Sequence, residues 1–389
     1  MDFKILEKEF FELINIGIAL TSEHEIDRLL DKIVAEARKF THSDAGSLYI
    51  KEETSLKFVV AQNDTLDKRI GTDKRKTSFT PFSLPLNKKS IAGYVAITGQ
   101  TLKIDDVYNI PSDSEYNFNK DFDLRNNYRT MSMLVLPLTD TDEKIIGVLQ
   151  LINSMNNEGI NIPFDEYHVR FVQCLASQAS VAINNARLNA ELRRAHLNTL
   201  VHLSTAGEYR DDETGKHVKR ILSITDILAT NINLRKQDVE IIKYSSLMHD
   251  IGKIAIPDNI LLKPGKLTPE ERKIMERHTT KGAEILHEST SPILTSAEAV
   301  ALNHHEKFDG TGYPNKLKGY EIPISGRIVA VADVFDALYS KRCYKPAYPL
   351  EKVTQIIKEE RGKHFDPEII DAFFKGFDSI LNEWEKYKD

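Results

Sequence analysis

The chain has 389 residues, of which 41% are hydrophobic and 28% charged, with a formal net charge of -6. This is the balance of a globular protein long enough for two domains, and the acidic net charge speaks against bulk binding of a nucleic-acid polymer. No apolar run approaches the ~18 residues of a membrane span. The N-terminal MDFKILEKEFFELINIG mixes acids with apolar residues, unlike a signal peptide. Neither nucleic acid nor membrane is therefore expected as a partner. The two cysteines, Cys174 and Cys343, read as free thiols, which fits a cytoplasmic protein.

The first half alternates between helix and strand signals. FFELINIGIAL and EIDRLLDKIVAEARKF carry apolar residues at helical spacing. AGSLYI, MSMLVLPL and IIGVLQLIN are short, apolar and rich in strand formers. Between the strands, DVYNIPSDSEYNFNKDFDLRNNYRT predicts a long loop or lid. The pattern is that of an α/β sensor domain with an antiparallel sheet.

From Asp165 to about Leu203 one long helix is predicted. Val172, Leu175, Ala179, Ala182 and Ala186 alternate steps of three and four, a seam suited to a parallel dimer or to packing on the chain's own domains. Leu188, Leu192 and Ala195 continue on a shifted face. Beyond Ser204 nearly everything reads as helix. Thr268-Pro269-Glu270-Glu271 has the form of a helix start: a capping threonine, proline at the first position and acids in the first turn. The chain thus divides into an N-terminal sensor domain at 1–164, a linker helix at 165–203 that would make a homodimer, and an all-α domain at 204–389.

Seven of the 12 histidines lie at or after His217. His249 and Asp250 are adjacent at the end of a predicted helix, and such a pair can serve two neighbouring metals. His217, His278, His304 and His305 sit on other predicted helices, and Asp333 and Asp336 share a face. Imidazoles and carboxylates without cysteine suit iron, manganese or zinc rather than a thiolate site. The segment YSKRCYKP sets Lys341, Arg342 and Lys345 close together, either as a solvated basic turn or as a phosphate grip. No GxSxG or GxxxxGK[ST] motif suggests a competing chemistry. Glu306 and Asp309 are expected to brace the loop between the two histidines and Pro314.

Two resemblances organise these readings. SIAGYVAITGQTLKIDDVYN, YRTMSMLVLPL and IIGVLQLINS, over roughly residues 10–185, resemble the GAF family of small-molecule sensors. That implies a possible small-molecule ligand in the first domain. Cyclic-nucleotide-binding members carry an Asn-Lys pair, whereas Ser154 follows Asn153 here, and Phe164 runs directly into Asp165-Glu166; the match to that subgroup is partial. HDIGK at 249–253 and HHEKFDGTGYP at 304–314 resemble the HD-GYP branch of the HD metal-dependent phosphohydrolases over roughly residues 200–380.

The second resemblance implies hydrolysis of cyclic di-GMP to linear pGpG, and on to GMP, with two or three divalent ions, iron or alternatively manganese. It implies that Asp250 bridges two metals, that His278, His304 and His305 hold one of them, and that His217, His249 and Asp333 complete the set. Glu213 would add a carboxylate for a third ion. Asp250 and Lys253 would be the catalytic residues, Lys253 lying near the scissile phosphate. Tyr313, Asp336, Arg342 and Lys345, with Lys253, would touch substrate. A receptor that binds the nucleotide without turnover, and a different cyclic dinucleotide as substrate, remain as alternatives.

Overall fold

The structure is a computed structural model that describes residues 11, 14–23, 25–70, 82–210, 215–340 and 347–388. It divides into two compact units, with the boundary after Leu192. No helix among the described residues is long and apolar enough to cross a membrane.

The N-terminal unit is built on one antiparallel sheet. Helix α1 (Ile26–Thr41) leads into β1 (Ser43–Lys51) and β2 (Ser55–Asn63), and a short helix α2 (Asp64–Ile70) follows. Then come β3 (Phe82–Pro85), α3 (Ile91–Thr98), β4 (Leu102–Ile104), α4 (Asp121–Asn126), β5 (Met133–Thr139), β6 (Ile145–Met155) and β7 (Asn161–Ile162). The strand order is β3-β2-β1-β6-β5-β4, with β7 on β6. The three apolar strands expected from sequence are the adjacent strands β1, β6 and β5. Their alternating side chains supply two cores. Leu48, Leu134, Leu136, Leu149 and Leu151 face α1 and the first part of α5 (Glu166–Glu208). Tyr49, Met133, Val135 and Val148 face α3 on the other side.

The polar segment before β5 is a folded strap rather than an open lid. It contains α4, and the buried Asp123 accepts hydrogen bonds from Thr130 N (2.8 Å), Thr130 Oγ1 (2.8 Å) and Tyr108 Oη (2.9 Å). Such charge-assisted bonds fix a segment whose Val107, Tyr108, Ile110, Tyr116 and Phe118 also pack on the core at the α3 side of the sheet. Asn153 has a positive φ of 56° and ties the strap to β6, accepting from Met131 N at 2.7 Å and donating to Tyr128 Oη at 3.1 Å. Phe164 is buried in the sheet core. Both residues that bear on the cyclic-nucleotide subgroup therefore do structural work in this fold.

The seam on α5 meets its own chain. Val172, Leu175, Ala179, Ala182 and Ala186 are buried in the core beneath the sheet. This contradicts their use as a dimer seam; the small residues let the helix lie close to the strands. The shifted face is the open one: Val181 is 41% exposed, Leu188 54% and Leu192 70%.

The C-terminal unit is helical. It comprises the end of α5, then α6 (Gly215–Asn231), α7 (Lys236–Ser245), the short α8 (Asp258–Leu261), α9 (Pro269–Leu286) and α10 (Pro292–Asn303). After a loop come α11 (Ile324–Tyr339), α12 (Leu350–Glu359), α13 (Pro367–Lys375) and α14 (Phe377–Lys386). Helix α9 starts on the expected cap: Thr268 Oγ1 accepts from Glu271 N, and Glu271 Oε2 accepts from Thr268 N at 2.8 Å. Two apolar clusters flank the site. Leu200, Val218, Leu247, Met248, Ala297 and Ala301 form one, and Ile221, Ile224, Ile328, Phe335, Phe373 and Trp384 belong to the other.

Candidate metal centre

Five imidazoles from four helices meet between these clusters. Their ring centroids follow one another at short range: His217 to His249 at 5.7 Å, His249 to His304 at 5.3 Å, His304 to His278 at 5.4 Å and His304 to His305 at 4.0 Å. His249 follows the 3-10 turn Ser246–Met248 after α7, and His304 and His305 follow α10.

Four of the five rings are oriented from behind. The Nδ1 of His249 lies 2.9 Å from Ser246 O, that of His278 2.8 Å from Met275 O, and that of His304 3.1 Å from Val300 O. His217 Nδ1 lies 2.7 Å from Asp336 Oδ2. An oxygen at that distance requires Nδ1 to be the donor. The proton is thereby fixed outward, and the Nε2 lone pair points into the centre, as a metal-ligating histidine requires.

The inward atoms form two groups. Ligand atoms of Asp250, His278, His304 and His305 lie within 4.8 Å of one another, and so do those of Glu208, His217 and His249. Asp250 joins them: its Oδ1 is 3.4 Å from His278 Nε2 and 3.6 Å from His304 Nε2, and its Oδ2 is 3.3 Å from His249 Nε2. These spacings are too long for strong hydrogen bonds and suit atoms that share a cation. His249 Nε2 and Asp250 Oδ1 are buried without a hydrogen-bond partner among the described residues. Buried polar atoms left in this way point to an ion. The residues present fit divalent metal binding.

The electrostatics agree. Burial, reinforced by His304, pushes His278 down to about 4, and burial also holds His305 well below its ordinary value; both rings are neutral ligands at neutral pH. Burial opposes ionisation of Asp250, but Lys253 and His249 hold it well below the usual carboxylate range. Burial likewise opposes charge on His249, yet Asp250, helped by Asp333, lifts it to about 9. The centre favours positive charge at this point.

Lys253 Nζ sits 2.8 Å from Asp250 Oδ2. The Tyr313 ring lies 4.9 Å from the His305 ring at a tilt of 31°, and burial raises its hydroxyl above the ordinary tyrosine value. The loop that carries it turns at Gly310 (φ 85°) and passes over itself at Gly312, where a Cβ would fall 2.3 Å from Lys307 N. Buried Glu306 accepts from Asn315 N (2.7 Å) and Leu317 N (3.1 Å), and Asp309 accepts from Thr311, so both brace the loop as expected.

Other expected residues fall elsewhere. Asp336 is buried behind the His217 ring. Its Oδ1 accepts from Arg220 Nε (2.6 Å) and Trp384 Nε1 (2.8 Å), and its Oδ2, which His217 Nδ1 also approaches, accepts from Arg220 Nη2 (3.1 Å). It is 1% exposed, because a carboxylate that sets a ligand's tautomer works from behind the ring. Asp333 is half-buried on the same helix, outside the two tight groups. Glu213, Arg342 and Lys345 lie outside the described residues.

Glu208 was missed. It stands eight residues after the buried Leu200 and four after the buried Ser204, so it continues the buried face of α5. An acid at such a position is the signal that sequence offers. Arg220, three residues after His217 on α6, was missed likewise.

Residues 25–183 match the GAF domain family and residues 203–369 the HD domain family. The chain carries a GAF domain followed by an HD domain. It is 48% identical over 187 residues to a cyclic di-GMP phosphodiesterase of Thermotoga maritima, covering 48% of this chain and 51% of that protein. It is 46% identical over 203 residues to a cyclic di-GMP phosphodiesterase of Vibrio cholerae, covering 49% and 41%. It is 37% identical over 230 residues to the 3'3'-cGAMP-specific phosphodiesterase 2 of the same organism, covering 59% and 44%. The chain spans about half the length of the curated relatives it matches.

Proposed function

We propose that this protein hydrolyses a phosphodiester bond of cyclic di-GMP, giving linear pGpG and, on a second cleavage, GMP. The observation that carries the reading is the convergence on Asp250 of three Nε2 atoms and of Lys253 Nζ at 2.8 Å. Divalent ions bound here would neutralise phosphate oxygens and acidify water; iron, or alternatively manganese, suits the nitrogen and oxygen donors. Asp250, His278, His304 and His305 would hold one ion, and Glu208, His217 and His249, with Asp333, another. Glu213 is the proposed extra carboxylate for a third ion.

Lys253 stabilises charge that develops on the phosphoryl oxygens while the phosphorus–oxygen ester bond breaks. Tyr313 offers its ring to the substrate, and Arg342 and Lys345 grip the second phosphate. Asp336 orients His217 rather than binding nucleotide. The N-terminal domain regulates turnover, with a small-molecule ligand of its own. The chain pairs as a cytoplasmic homodimer through the open face of α5, where Val181, Leu188, Leu192 and Ala195 follow a 7-4-3 spacing.

The test is turnover of purified protein loaded with iron or manganese under reducing conditions, with products identified for cyclic di-GMP and 3'3'-cGAMP side by side. Formation of pGpG supports the reading. Tight binding without product would make the protein a receptor, and turnover of 3'3'-cGAMP alone would reassign the substrate.

A further inference from the structure

The C-terminal end of α5 places Glu208 at the centre, and Arg210 just beyond it. Glu208 Oε1 lies 4.0 Å from His217 Nε2. Two residues on, the Arg210 guanidinium spans the stretch that follows HDIGK. Its Nη1 donates to Lys253 O (3.1 Å) and Ile254 O (2.5 Å), and its Nη2 to Ile256 O (3.1 Å) and Asp258 Oδ1 (2.5 Å). Immediately before this stretch the chain is pressed against α9: a Cβ on Gly252 would lie 1.9 Å from His278 O and 2.4 Å from Gly282 N. Lys253 is thus held at its own carbonyl and through the preceding Gly252, with its ammonium on Asp250.

We propose that Arg210 is a positioning residue that fixes Lys253 at the centre by clamping the Lys253–Asp258 backbone. The proposal rests on the phosphodiesterase reading for its kinetic consequence only. The chemistry of the clamp selects arginine. A planar fork can serve several carbonyls of successive residues at once, whereas an ammonium is a single point that cannot span them. Asp258 balances the guanidinium charge without reaching the metal-facing groups. Because Arg210 follows the last residue of α5, Glu208, by only two positions, a shift of that helix end moves Lys253 and a metal-facing carboxylate together.

The experiment compares the 389-residue chain with its Arg210→Ala and Arg210→Lys variants, all loaded with manganese. Three quantities are read: amide exchange across 253–258, acylation of Lys253 by an amine reagent mapped by mass spectrometry, and kcat and KM on cyclic di-GMP at measured metal content. Arg210→Ala should exchange faster in 253–258 and acylate faster at Lys253. Its kcat should fall roughly 10–100-fold while KM stays within about twofold and metal content holds. Arg210→Lys should not restore kcat. Exchange and acylation equal to wild type would overturn the clamp, as would full recovery in Arg210→Lys or a kcat loss explained by lost metal. If the wild type shows no turnover, the phosphodiesterase reading falls, and exchange and acylation still decide the clamp. If Arg210→Ala does not fold, Arg210→Lys carries the same three readouts.

Discussion

Replacing Asp336 with asparagine tests how the centre is organised. The variant keeps the size of the side chain and removes its charge. Asp336 is buried, yet His217 and Arg220 hold its carboxyl down to about 2 from an ordinary 3.8, roughly 2.5 kcal/mol in favour of the charged form. Asparagine has one accepting oxygen for four N–H contacts. If that oxygen serves Arg220 and Trp384, the amide nitrogen faces His217 Nδ1 and drives the imidazole proton to Nε2, where it blocks the metal-facing lone pair. If it serves His217 instead, the 2% exposed Arg220 loses its ion pair with a buried carboxylate, which costs about 3–5 kcal/mol. We therefore expect Asp336→Asn to lower the melting temperature of the C-terminal domain and to reduce bound metal. Trp384→Phe, which removes one bond to the carboxylate, should cost less, about 1–3 kcal/mol. The assays are thermal melting with and without chelator and elemental analysis of the purified protein. An Asp336→Asn protein with wild-type melting and metal content would refute the argument that Asp336 orients His217.

Other outcomes follow from the same geometry. Gly312→Ala would set a methyl group against Lys307 N and displace the loop that carries Tyr313, so a stability loss of about 1–3 kcal/mol and reduced turnover are expected; an unchanged kcat/KM and melting temperature would remove the loop from the site. Glu208→Gln keeps the shape and removes the charge beside His217 and His249, and should weaken metal binding about 10–100-fold, read by chelator competition. Leu188→Glu together with Leu192→Glu should convert a dimer to a monomer in sedimentation while the N-terminal domain stays folded; a wild type that is monomeric at every concentration would end the dimer proposal.

The histidine set was legible because its members announce themselves chemically: few roles explain five imidazoles on separate apolar helices. Strands β1, β5 and β6 were legible because they are short apolar runs rich in strand formers, buried on both faces, whereas β3 and β4 are short and lean on neighbours for their register. The α5 seam misled because a stripe of small and apolar residues has the same spacing whether it meets a second helix or its own sheet. Only tertiary contact distinguishes the two, and here Leu175 and Ala179 are fully buried within the chain. Asp336 misled for a similar reason. Its spacing from Asp333 places it on the right helix but does not say which side of the histidine ring it approaches. Glu208 and Arg220 gain their roles from partners distant in sequence.

The most direct test is metal content and product on a single preparation. Protein purified without oxygen should hold about two divalent ions per chain or more. It should convert cyclic di-GMP to pGpG, lose that activity with a chelator and regain it with iron or manganese, and His249→Ala combined with Asp250→Ala should hold neither metal nor activity. Turnover that persists in the chelated protein or in that double variant would contradict the account.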